Sequence, residues 1–288
     1  AHLANLEINM KKLIGTIPEE TGLISKYRQH QGWWRTFVLA EQEGKYFDKK
    51  HKKWEKVCNR INDGEVDPDK KNFLSKDIVD EVQLALIRQK EMDSGIMATD
   101  RLYNNLLSSQ PLAFNFFGWF RANPDVALAF LQTLRPDIMV VEDIVFEYAP
   151  ESSGDSSAFD FGFIVRTQTQ KGFMGFECKY TDTFSYQRTD TKIYYGDSDD
   201  KNFENYHGLY LNHLDRFPDD YHSYIRNKNF NQLFRNELLG MLVKIEPDID
   251  FVLTGLFCRH DDKKTVAAGQ KFQKKIGNRK DDFILLTY

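Results

Sequence analysis

The chain has 288 residues, 41% of them hydrophobic and 28% charged, with a net charge of −4. Its 23 Phe and 13 Tyr supply ample core material, which excludes a disordered chain, and no apolar run approaches the length of a membrane span. Cys58, Cys178 and Cys258 form neither a CxxC nor a paired framework, and the first residues lack the order of a secretory leader, so a cytoplasmic, reducing location is expected.

The first hundred residues read as helical. Asp77–Lys90 places Ile78, Val82, Ala85 and Leu86 at helical spacing, with Ser75 as an N-cap. Residues 96–109 continue as helix from Ser94 or Asp100, and Asn62-Asp63-Gly64 and Asp67-Pro68 mark turns. An N-terminal mainly helical region over 1–105 is therefore expected, followed by a second unit over 106–288. In that unit Pro111 opens a helix capped by Ser109, whose run LAFNFFGWFRA is apolar nearly all round and should be buried. A second helix runs from Asn123-Pro124-Asp125 to Leu134. Strands are expected at Ile144–Tyr148, Ala158–Thr167 and Gly172–Tyr180, the last two joined by the polar turn TQTQKG. A Tyr-, Asp- and His-rich insertion spans 181–226. A helix follows from Asn229 to Val243, and strands at Phe251–Cys258 and Phe283–Thr287 close the chain. This is an α/β layout in α-β-β-β-α-β order, a mixed central sheet flanked by helices.

Charge is unevenly spread. Residues 48–60 carry six Lys/Arg against two acids, 271–280 five against none, and 182–220 four against nine acids. A near-neutral total thus hides basic and acidic surfaces. Lys49, Lys50, Lys52 and Lys53, with Lys271, Lys274 and Lys275, are the candidates for phosphate contacts, against the plain alternative of solvated lysine faces.

The constellation that suggests chemistry is Asp160 with Glu177-Cys178-Lys179. Residues two apart on a strand share a face, so Glu177 and Lys179 project together while Phe176, Cys178 and Tyr180 point the other way. Asp160 lies on the neighbouring strand. Asp160, Glu177 and the Cys178 backbone carbonyl can offer three oxygens to a hard cation such as Mg²⁺, with Mn²⁺ able to substitute. Lys179 can orient a water or stabilise charge developing on a phosphate. An exposed Glu/Lys pair on an outer face is the bland alternative. Against it, the triplet interrupts an otherwise apolar strand, and an Asp interrupts an equally apolar neighbour.

These residues, in this order of elements, resemble the PD-(D/E)xK nuclease superfamily, the restriction-endonuclease-like fold. The phrases SSQPLAFNFFGWF, FDFGFIV, FECKYTD and NFNQLFRNELL resemble a group of bacterial restriction-endonuclease-like proteins, over residues 106–182 and 227–258. The resemblance implies that Asp160, Glu177 and Lys179 are the motif acids and lysine of a metal-dependent DNA endonuclease. Phe159 stands where the motif often has Pro. Glu147 is a candidate for the further acid that no residue of the first core helix supplies, or else an ordinary surface glutamate. Gln232 and Arg235 share a helix face, and Arg235 could hold a phosphate bidentately or make ordinary structural contacts. DNA is the implied partner, and two strands to cut allow a homodimer, although no segment marks a dimer surface.

Two other readings stay open: a nuclease-fold protein that binds nucleic acid without cutting, and a carboxylate-pair glycosidase, in which Lys179 has no natural role. No HExxH, GxxxxGK[ST] or GxSxG occurs, and His207, His213 and His222 lack zinc spacing. Asp197, Asp199 and Asp200 fail the calcium-loop pattern. Phe184, Tyr186, Tyr194, Tyr195, Tyr206, Tyr210, Tyr221 and Tyr224, and likewise Trp33-Trp34 with Arg35, either stack on unpaired bases or pack the core, with packing favoured.

Overall fold

The computed structural model describes residues 20, 22–48, 51–92, 97–150, 157–182, 184, 201–246, 248–277 and 281–288. Helix α1 (Gly22–Trp33) leads into a π-helical turn at Trp34–Val38. Strands β1 (Glu43–Asp48) and β2 (Lys53–Ile61) then pair as an antiparallel hairpin. The helical expectation for the first hundred residues fails here. Tyr46, Phe47, Trp54, Val57 and Ile61 are residue types enriched in strands, a signal that the lysines of 45–56 obscured. Helices α2 (Lys76–Met92) and α3 (Thr99–Asn104) follow, with the Ile78 N–H donating to Ser75 Oγ as expected. Ser94, the alternative start for α3, lies outside the described residues.

Helix α4 (Ser109–Phe117) is capped one residue earlier than expected, by Ser108, whose hydroxyl accepts the Gln110 N–H at 3.3 Å. It tightens into a 3-10 turn at Gly118–Ala122, and α5 (Pro124–Leu134) starts with proline in its first turn. Then come β3 (Val140–Tyr148), β4 (Phe159–Arg166) and β5 (Lys171–Lys179). Helices α6 (Lys201–Asn212) and α7 (Tyr221–Ile225) lie in the insertion. The chain ends with α8 (Asn231–Ile245), β6 (Phe251–Cys258), α9 (Lys263–Lys275) and β7 (Phe283–Thr287).

The sheet order is β3-β4-β5-β6-β7. β3, β4 and β5 are antiparallel neighbours, whereas β5, β6 and β7 run parallel. Parallel neighbours need crossovers, and α8 and α9 provide them. α9 was not expected as a helix: its lysines masked a buried stripe of Thr265, Ala268, Gly269 and Phe272, and Asp262 caps it by accepting the Thr265 N–H.

Both sheet faces are covered. On one, Phe161, Phe163, Met174, Phe176 and Cys178 pack against Ile78, Val82, Phe114 and Phe117. On the other, Phe173, Leu256 and Phe283 pack against Phe234, Leu238, Tyr224 and Phe272. Each buried ring contributes about 2 kcal/mol. The first cluster runs through residue 105 without a break, since α2 shares it with the sheet. α1 also docks on the sheet, at the carboxyl ends of β5 and β6. The Arg259 guanidinium lies 3.3 Å from the Tyr27 ring centroid, Tyr27 OH donates to Asp261 at 2.9 Å, and Gln31 donates to Tyr180 OH at 2.8 Å. Trp33, by contrast, is 46% exposed, so the packing expected for it does not occur, while Arg35 is buried and donates to the Cys58 and Glu41 carbonyls. Among the described residues no helix is long and apolar enough to cross a membrane.

One glycine sets the distance between α8 and the sheet. A Cβ at Gly240 would lie 3.0 Å from both Thr254 Cγ2 and Val252 Cγ1. Gly240→Leu should therefore lift the helix and cost about 1–3 kcal/mol in urea unfolding; unchanged stability would mean that the helix does not depend on this close approach.

Candidate active site

Glu177 and Lys179 stand on the central strand β5 and share a face, with Lys179 Nζ donating to Glu177 Oε1 at 2.8 Å. Both are buried, at 3% and 5% exposure. α8 supplies two further donors: Gln232 Nε2 to Glu177 Oε1 at 2.6 Å and Asn236 Nδ2 to Oε2 at 2.9 Å. Gln232, Asn236 and Gly240 are successive i, i+4 positions, so the stripe that carries the two amides also carries the glycine that lets α8 sit close.

Asp160 enters from β4. Phe161 pairs with Phe176, which brings Asp160 opposite Glu177 just past the last paired residues. There the ladder changes character. Asp160 Oδ2 accepts the Cys178 N–H at 2.6 Å, a donor that the β4 main chain would take if pairing continued. In a hydrogen-bonded antiparallel position a residue turns N–H and C=O to the same edge, so the Cys178 carbonyl also faces the Asp160 side. Phe159, at the place of the motif proline, is a packing residue: it is fully buried, with its ring 5.3 Å from that of Phe173.

The electrostatics follow from this crowding. Burial, then the charges of Glu177 and Glu147, push the Asp160 carboxyl well above the usual aspartate range, opposed by Lys179 and the Cys178 N–H. Burial pulls Lys179 down, but Glu177 and Asp160 outweigh it and hold the ammonium above the ordinary lysine value. The Cys178 thiol points away into the core, and burial followed by Asp160 raises it far from thiolate chemistry.

Glu147 is not the surface residue that was the alternative reading. It lies between the pairs Phe146↔Phe161 and Tyr148↔Phe159, hence across from Asp160, is half-buried and accepts from Gln110 of α4 at 2.6 Å. Its φ of 49° is unusual for a non-glycine residue, although β3 keeps its register with β4 on either side. Arg235 points elsewhere. It is buried and donates to Asn231 Oδ1 and Ser157 Oγ, both at 3.1 Å. Asn236 was missed, although its i+4 relation to Gln232 was available in the sequence. The buried acid of α8, Glu237, is committed to Arg216 at 2.6 Å and to Thr254.

The outlying candidates divide. Lys52 and Lys53 sit at the β1–β2 turn, exposed, with Lys53 paired to Glu55. Lys49 and Lys50 lie outside the described residues, as do Tyr186, Tyr194, Tyr195, Asp197, Asp199 and Asp200. Lys271 and Lys274 are exposed on α9, whereas Lys275 is held by Asp219 at 2.7 Å. Tyr210, Tyr221 and Tyr224 are core residues packed around Phe234. Phe184 lies by the site, its ring centroid 5.6 Å from Lys179 Nζ.

A family model described as the PD-(D/E)XK nuclease superfamily matches residues 18–288. The chain belongs to this superfamily. The match extends well beyond 106–182 and 227–258 and takes in the N-terminal helices and hairpin of this superfamily member. No curated protein and no solved structure gives a significant match.

Among the described residues no three His, Cys, Asp or Glu side chains gather around one point. The donor set nevertheless suits a hard cation that keeps most of its waters. Among the described residues no donor reaches Asp160 Oδ1, and the three donors on Glu177 leave one lone pair on Oε2.

Asp160 carries a pH signature. Its carboxyl binds its proton more tightly folded than unfolded, so its contribution to stability is complete below the pKa of a free aspartate, about 3.9, and falls as pH rises toward the higher folded value. Asp160→Asn keeps an acceptor for the Cys178 N–H and removes the charge. It should stabilise the metal-free protein by on the order of 1 kcal/mol at pH 8 and leave it unchanged at pH 4. Urea unfolding at the two pH values measures the difference; equal effects at both would dismiss the crowding of Asp160.

Proposed function

We propose that this chain is a metal-dependent endonuclease that hydrolyses DNA phosphodiester bonds, of restriction type. The observation that carries the reading is the fixed Glu177–Lys179 pair on the central strand, facing the side where Asp160 replaces a main-chain partner. A bare structural ion pair does not need two amides from a neighbouring helix and a second carboxylate pressed against it.

Asp160, Glu177 and the Cys178 carbonyl would hold Mg²⁺ or Mn²⁺, which when bound neutralises phosphate charge and makes a water more acidic. Lys179, kept protonated by its carboxylate neighbours, acts as a cation. It orients the attacking water and stabilises the charge that develops on the phosphate, and does not itself abstract a proton. Gln232 and Asn236 hold Glu177 in one rotamer, so the carboxylate does not swing toward its ammonium partner alone. Gln110 orients Glu147, which adds negative charge beside Asp160 and favours a cation there. Lys52, Lys53, Lys271 and Lys274 provide exposed positive charge for the phosphate backbone. A duplex cut on both strands by one site per chain calls for two copies, and the reducing, cytoplasmic setting fits three unpaired, buried cysteines.

The test is incubation of the full chain with plasmid and with single-stranded DNA, with Mg²⁺ or Mn²⁺ and with chelator. Metal-dependent cutting supports the reading; chelator-insensitive binding with no turnover under any metal would favour a nuclease-fold binding protein instead. Lys179→Gln keeps a donor to Glu177 but removes the charge. It should slow single-turnover cleavage about 100-fold or more while DNA affinity and circular dichroism stay at wild-type values. A wild-type rate in this variant would remove the ammonium from catalysis.

A further inference from the structure

The β1–β2 hairpin carries a surface that the cleavage site does not use. Its register pairs Lys45 with Lys56 and Phe47 with Trp54. Alternation places these four side chains on one face and Tyr46, Asp48, Lys53 and Glu55 on the other. The second face is neutralised internally: Lys53 pairs with Glu55 at 2.5 Å, and Asp48 pairs with His51 of the turn at 2.5 Å. None of the four side chains on the first face is acidic. Lys45 and Lys56 are exposed and make no ion pair among the described residues. In the next row of this face, toward the turn, lie the rings of Phe47 and Trp54, 45% and 65% exposed, edge to face with centroids 5.5 Å apart.

Two large aromatic rings left in water beside a row of two exposed cations fit one kind of partner. We propose that this face of the hairpin binds single-stranded nucleic acid, with unstacked bases lying on Trp54 and Phe47 and the flanking phosphates on Lys45 and Lys56. This rests on the reading that the chain acts on nucleic acid, and it goes beyond it by assigning a strand-binding surface to a separate element. A paired duplex offers its phosphates to such a face but not the faces of its bases. A second copy of this chain is a poor occupant, because a two-fold contact would set the lysines of one hairpin against those of the other. The two rings also support the hairpin as a cross-strand pair, so the test must separate stacking on a ligand from stacking on each other.

The experiment uses the full chain in chelator, so that nothing is cut. Binding of a dye-labelled oligothymidylate of about 20 nucleotides and of a duplex of the same length is followed by anisotropy across a salt series. Trp54→Leu keeps apolar area and loses the aromatic face; Trp54→Phe keeps the face. Trp54→Leu should weaken single-strand binding about ten-fold and duplex binding less than about two-fold, and Trp54→Phe should restore most of the loss. Lys45→Gln with Lys56→Gln should reduce the salt slope on single strands by up to about 1.4, from about 0.7 per phosphate contact. The proposal is overturned if the wild type does not bind the single strand, or if Trp54→Leu binds it as well as wild type. It is also overturned if Trp54→Phe is as weak as Trp54→Leu, or if the lysine variant keeps the full slope. Trp54-dependent binding by a protein that cuts under no metal would defeat the nuclease reading and leave this one standing. Metal-dependent cutting with unaltered binding by the variants would do the reverse.

Discussion

Glu177 is a carboxylate buried at the centre of a sheet, and burying a charge is tolerable only when its hydrogen-bonding capacity is met. Here Lys179 meets it from the same strand and Gln232 and Asn236 from α8. Much else follows from that requirement. α8 must lie against the sheet, which Gly240 permits where a side chain would touch Thr254 and Val252. β5 must be central and covered on both faces, which is why its other side is filled by Phe176, Cys178 and the rings of α4. The pairing of β4 must end where Asp160 arrives, so that its carboxylate and not its main chain meets the Cys178 N–H. In the proposed function the crowded acids cost stability in the metal-free protein and would create the field that draws a cation, a compromise typical of sites where perturbed ionisation serves function.

The site was legible to the extent that it is local in sequence. The period of two placed Glu177 and Lys179 together, and the hairpin between β4 and β5 placed Asp160 near them. Elements bounded by strong local signals came out with their limits intact: Pro124–Leu134 through its proline, and Phe251–Cys258 and Phe283–Thr287 as uninterrupted apolar strands. What failed to show was set by contacts distant in the chain. Glu147 read as a surface strand residue because its partner Gln110 lies 37 positions away. Arg235 looked like a phosphate ligand because nothing local reveals Ser157, 78 positions earlier. Asn236 was overlooked because its carboxylate partner lies 59 positions earlier, and only its i+4 relation to Gln232 hinted at a shared face.

Lysine was the other source of error. In both β1–β2 and α9 it covers the solvent side of an amphipathic element, and a basic run drew attention to charge and away from period. In the hairpin the charges are sorted by face, with acids and lysines neutralised together on one side and lysines alone beside aromatic rings on the other. In α9 the buried stripe through Phe272 anchors the crossover between β6 and β7, and Lys263, Lys264, Lys271 and Lys274 face water. The N-terminal segment is thus no appendage in packing: α1 touches Arg259, Asp261 and Tyr180 at the carboxyl ends of the strands that bear the site.

The claim on which the account turns is that Asp160 and Glu177 together form a cation site. Calorimetric titration of Mn²⁺ into the full chain without nucleic acid tests it most directly. Saturable binding is expected for the wild type and its loss in both Asp160→Asn and Glu177→Gln, each of which removes one of the two carboxylate charges. Binding of equal affinity in the wild type and both variants, or no binding by the wild type, would contradict it.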